Sequence, residues 1–153
     1  ATSRSEVFYT TDGGASWEQS TGVAPLNNHN ARVRVASKNQ RMVYLSVHNY
    51  RQRKNLLYVS TDGGRTFKEA TQDIPQNLSL KDISVSPSGE YVFGSNYHVY
   101  VHRQKRWYPM LGQSFFKGGA NATSVKYLPK RKEVVYFTSS AGVVRFRINR
   151  IED

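Results

Sequence analysis

The chain has 153 residues, enough for one domain with a substantial core, and no apolar run long enough to cross a membrane as a helix. It contains no cysteine, so disulfides and thiolate metal sites are excluded. Twenty-two basic residues against 11 acidic ones give a net charge of +11, which implies affinity for anionic partners and says nothing about fold. Aromatic residues make up 12% of the chain, and with many Val, Ser and Thr they suit an all-β protein. The first residue is Ala, not Met, which points to a processed, excised or partial product.

In chain order, residues 6–10 and 15–20 are predicted to form a hairpin around Thr10-Thr11-Asp12-Gly13-Gly14-Ala15-Ser16-Trp17. Asp-Gly between β-rich runs is a strong hairpin signal, because Gly takes positive φ and Asp caps nearby N–H groups. A polar loop follows over 21–30. Strands are then expected at 32–36, 42–47 and 56–60, with a basic loop at 48–55. Ser60-Thr61-Asp62-Gly63-Gly64-Arg65-Thr66-Phe67 repeats the first motif, and Asp62 stands 50 positions after Asp12. Self-similarity at such a period marks a repeat architecture. A loop over 71–80 leads to strands at 82–86, 91–94, 99–102 and 106–110. There Trp107 takes the place of Trp17 and Phe67, but the Asp-Gly-Gly motif is lost. A Gly-rich loop over 112–120 leads to strands at 124–128, 134–138 and 143–148. Short alternating strands with turn signals between them predict blades of four antiparallel strands.

Both motifs resemble the Asp-box (BNR) repeat, Ser/Thr-x-Asp-x-Gly-x-Thr/Ser-Trp/Phe, at every defining position. Asp12, Gly14, Trp17, Asp62, Gly64 and Phe67 are the structural residues that the resemblance implies. Asp-boxes recur in β-propellers such as sialidases, xyloglucanase-like glycoside hydrolases and the luminal propellers of sortilin-type receptors, and singly in some small ribonucleases. In those propellers the box joins the third and fourth strands of a blade. The implied fold is all-β, a β-propeller of four-stranded antiparallel blades whose ring is incomplete in this chain, with about three blades. The implied division is the end of one blade over 1–31, a blade over 32–70, another over 82–110 and a partial blade over 121–153. Open blade faces in water then call for a second chain or further blades to complete the ring. The alternative is a different compact β-fold of the same strands.

The resemblance puts the boxes on the face opposite the ligand site. The ligand face then collects His29, His48, Tyr50, Arg51, Asn96, Tyr97 and His98. Aromatic faces together with amides and hydroxyl-binding groups suit a glycan, and a protein ligand is the parallel reading. Membrane insertion of the chain is not expected. The opposite face collects Arg103, Lys105, Arg106, Lys130, Arg131 and Lys132, a candidate surface for an acidic polymer. The same cations also serve solubility and the protection of sheet edges. The sialidase arginine triad has no counterpart here, since Phe146-Arg147-Ile148-Asn149 lacks the expected Pro. A glycoside hydrolase would need two carboxylates across a cleft. Asp82 is the better placed of Asp73 and Asp82, and its alternative role is a strand-start residue bonded to backbone or paired with Lys81. If the chain is enzymatic, that is the class; non-catalytic recognition is the leading reading. The four histidines show no metal-ligand spacing, and no cofactor is expected. Sequons at Asn77 and Asn121 permit a secreted or luminal location.

Overall fold

A computed structural model of the chain describes residues 6–25, 29–49, 54–72, 74, 80, 82–90, 92–96, 98–103, 106–111, 122–127, 134–139 and 142–147. Thirteen strands are present among them, and no helix. The first sheet pairs β1 (Phe8–Tyr9) with β2 (Glu18–Gln19). The second runs in order through β3 (His29–Ala36), β4 (Asn39–Asn49), β5 (Lys54–Ser60) and β6 (Lys68–Glu69). The third runs through β7 (Asp82–Val85), β8 (Val92–Asn96), β9 (His98–Arg103) and β10 (Arg106–Leu111). The fourth holds β11 (Ala122–Tyr127), β12 (Val134–Ser139) and β13 (Gly142–Arg147). Every pairing within the sheets is antiparallel and sequential. This is the meander of a propeller blade, in an incomplete β-propeller with sheets of two, four, four and three strands. The leading strands line up: β7 lies beside both β3 and β11.

Period-two alternation explains why the second sheet is buried on both faces. Along β4, Val43, Leu45 and Val47 point one way, joining Tyr58, Phe67 and Val7 of the preceding sheet. Tyr44, between them, points the other way, joining Leu57, Leu80, Ile83, Val92 and Trp107 toward the following sheet. The second core is buried between two four-stranded sheets, with Leu57, Ile83 and Val92 fully enclosed. Pro109, which has no N–H to give, is placed on β10, the outermost strand of its sheet.

The strands run further than the residue pattern suggests. Residues 27–30 and 48–55 read as loops, yet the ladder of β3 and β4 extends to His29↔Asn49, and that of β4 and β5 to Asn49↔Lys54. His29, Asn30, His48 and Asn49 are therefore strand residues, and Asn96 and His98 pair with each other at the ends of β8 and β9. Polar side chains conceal this because a sheet end near solvent needs backbone pairing but no apolar alternation.

Candidate functional site

The two Asp-boxes have one geometry. In box two the Ser60 hydroxyl donates to Asp62 Oδ1 at 2.7 Å and accepts the Gly64 N–H at 2.9 Å. The Thr66 N–H reaches Asp62 Oδ1 at 2.9 Å, and the Thr66 hydroxyl reaches Oδ2 at 2.6 Å. In box one Thr10 and Ser16 make the same bonds to Asp12, with Thr10 Oγ1 accepting the Gly14 N–H at 2.9 Å. Both glycines of each box have positive φ, between 74° and 100°, which lets the chain turn back beneath the carboxylate. The carboxylates are thus occupied within their own turns. They fasten hairpins and are not presented to a ligand.

The electrostatics follow from those bonds. Each carboxyl is held well below the usual carboxylate range, first by the hydroxyl of Ser16 or Thr66 and then by the N–H of the same residue. A depressed value stabilises the fold at pH above the unfolded carboxyl value of about 3.9, and the contribution is lost as pH falls below it. Thermal melting should therefore be flat at neutral pH and decline below about pH 4. The double variant Asp12→Asn, Asp62→Asn should melt lower at neutral pH and decline less on acidification. A double variant as acid-sensitive as the parent would refute this role.

Box two is also joined to the sheet before it. Thr21 and Thr66 form a parallel bridge, with the Thr21 N–H on Arg65 O at 2.9 Å and the Phe67 N–H on Thr21 O at 2.9 Å. The Ser20 hydroxyl donates to Gly64 O at 2.6 Å, and Arg65 lies 5.7 Å from the Tyr9 ring centroid. Phe67 is consequently buried, whereas Trp17 is 50% exposed. Trp17 lines a groove of about 220 Å3 with Val33, Val35, Gly63, Gly64 and Phe67. The Gly63 N–H bonds Arg41 O at 3.0 Å, so the β3–β4 turn abuts box two. These joints were not legible in the motif.

At the opposite end the described residues bring one predicted ligand residue into a defined cluster. His48, half-buried at the end of β4, shares a 2.7 Å hydrogen bond between Nδ1 and Asn55 Oδ1 of β5. Asn55 Oδ1 also accepts the Leu80 N–H at 3.3 Å, from the segment that enters β7. An amide oxygen can only accept, so His48 carries its proton on Nδ1. Asn55 itself was missed in the sequence, where it read as loop. His29, Asn96 and His98 occupy strand ends on this same side by their register, and Asp82 opens β7 opposite Ser95. Tyr50, Arg51, Tyr97, Asn77 and Asn121 lie outside the described residues, as do Asp73, Lys105, Lys130, Arg131 and Lys132. No His, Asp or Glu group arranged to hold a metal occurs among the described residues.

A search of curated proteins found no match to the chain. Among protein-family models, the BNR/Asp-box repeat matches residues 8–19, the first of the two boxes. That stretch, β1, its turn and β2, is a BNR/Asp-box repeat.

Proposed function

We propose that the chain is part of a propeller-type recognition module that binds a glycan or protein ligand at the end opposite its Asp-boxes. The observation that carries this reading is the cluster of His48, Asn55 and the Leu80 N–H. It fixes the His48 ring where β4, β5 and the entry to β7 meet. A fixed, half-buried imidazole on a rigid strand end is a good element for holding a polar ligand. The occurrence of BNR repeats in glycan-binding propellers supports the same reading. The setting is secreted or luminal, and further strands, from this polypeptide or another, would complete the ring.

The test is binding to a glycan array and to a panel of extracellular protein domains, repeated with His48→Ala and Asn55→Ala. Each variant should lose about tenfold or more in affinity, the effect of one lost polar contact to a ligand. Binding unchanged in both would refute the site. A hydrolytic reading is carried only by Asp82, at the mouth of the inner strand β7. Oligosaccharide hydrolysis abolished by Asp82→Asn would favour it over pure recognition.

A further inference from the structure

The first sheet repeats half of the second. Its strands β1 and β2 are the counterparts of β5 and β6, each 50 positions earlier, and among the described strands β3 and β4 have no counterpart in it. We infer that this place is the seat of a two-stranded antiparallel ribbon from another polypeptide segment, packed on the apolar face of β3. The ribbon has the chemistry of β3 and β4: alternating residues, apolar toward the seat, joined by a tight turn. The inference rests on the reading that further strands complete the ring, and says where they dock and what they present.

Burial at equivalent positions points to the occupant. One face of the second sheet looks toward the first. On β4 that face is covered, with Val43, Leu45 and Val47 buried. On β3 the cover fails: Val33 is half-buried and Val35 is 51% exposed. Fifty positions on, the same face of β7 is closed, with Ile83 fully buried and Val85 packed into the second core. Asn39 and Gly89 repeat the contrast, the first exposed and the second buried. What closes the face of β7 is β3 and β4. Arg34 Nε donates to Ile83 O at 3.0 Å, and the Tyr44 hydroxyl donates to Gly89 O at 2.5 Å. The open face of β3 is therefore shaped for a ribbon of the same kind.

The groove beside β1 is part of this seat, since Val33, Val35, Val43 and Trp17 line it. Its volume of about 220 Å3 is below the range of about 300–1,000 Å3 usual for a small-molecule pocket. Its floor is a strand with apolar residues at every second position, which suits a pleated partner. Trp17 and Val35 are two of the three large apolar residues exposed among the described ones, and apolar surface gathered at one place marks a protein contact. A second copy of the chain has no such ribbon to spare. Its leading pairs, β3–β4, β7–β8 and β11–β12, each continue into a third strand of their own sheet.

The probe is a synthetic peptide of residues 29–49, the β3–β4 ribbon free of its own sheet. It is titrated into the chain at about 0.5 M salt, where the positive charge on both is screened. Trp17 fluorescence reads occupancy, because Trp17 is half exposed in the groove while Trp107 is buried. A saturable blue shift is expected. Val35→Glu puts a charge into the seat and should weaken binding about tenfold or more. Val143→Glu, at an exposed site on β13, should leave binding unchanged. Melting temperatures confirm folding, and Val35→Thr, which keeps the β-branch, reads a smaller loss if Val35→Glu unfolds. No saturable shift, equal binding of a scrambled peptide, or unchanged binding by the Val35 variants overturns the seat. Light scattering of the chain alone adds one outcome. A dimer that Val35→Glu dissociates would make the occupant a second copy, which overturns the assignment to another segment. Ligand binding at the His48 end does not enter these readouts, so either proposal can fail alone.

Discussion

Replacing Gly22 by Ala is expected to lower the melting temperature by about 10 °C. Gly22 has φ of +80°, where an L side chain is strained, and a Cβ built on it stands 2.0 Å from Phe67 O. That oxygen belongs to the backbone of the segment joined to Thr21 and cannot move away without breaking the parallel bridge. Backbone strain of about 1–2 kcal/mol adds to an overpacking cost of about 1–3 kcal/mol. Gly13→Ala separates the two causes. Gly13 has φ of +74° and nothing within 4 Å of its would-be Cβ. It should therefore show the strain alone and lose about 1–2 kcal/mol. Equal melting temperatures for the two variants would mean that the contact between Gly22 and Phe67 does not hold the first two sheets together.

Tyr44→Ala is expected to destabilise the fold by about 3–5 kcal/mol, and Tyr44→Phe by about 1–2 kcal/mol. Tyr44 is 5% exposed and belongs to the core between the two four-stranded sheets. Its hydroxyl donates to Gly89 O of the β7–β8 turn at 2.5 Å, and burial raises its pKa. The Ala variant loses both the ring and the bond. The Phe variant keeps the ring and leaves Gly89 O without its side-chain donor. Denaturant unfolding measures both. Near-identical losses would show that the hydroxyl is the whole contribution, contrary to the packing argument.

The architecture was largely legible in the residues. Two Asp-Gly-Gly turns 50 positions apart, with alternating runs between them, specify hairpins, and hairpins in sequence specify meander sheets. Strand limits were less legible, because His29, His48 and Asn55 pair through backbone at polar sheet ends that carry no alternation. The joints between sheets were invisible for another reason. Ser20 to Gly64, Arg34 Nε to Ile83 O and Tyr44 to Gly89 all end on carbonyl oxygens, which every residue has. Residue identity shows the donor and not the acceptor. Trp17 and Phe67 occupy equal places in their boxes, yet one is exposed and the other buried, because burial is decided by the neighbouring sheet.

Those three joints span 44, 49 and 45 residues, each close to one repeat. The first sheet is thus tied to the second, and the second to the third, by bonds one repeat long, and these sheets behave as a linear series of coupled units. In such a series, protection against amide exchange is a gradient and not one global number. The two-residue strands of the first sheet have one neighbour and should open early. The ladder of β4 and β5, enclosed on both faces, should open last. A ligand that bridges two sheets would then bind to a joint and slow local opening on both sides of it.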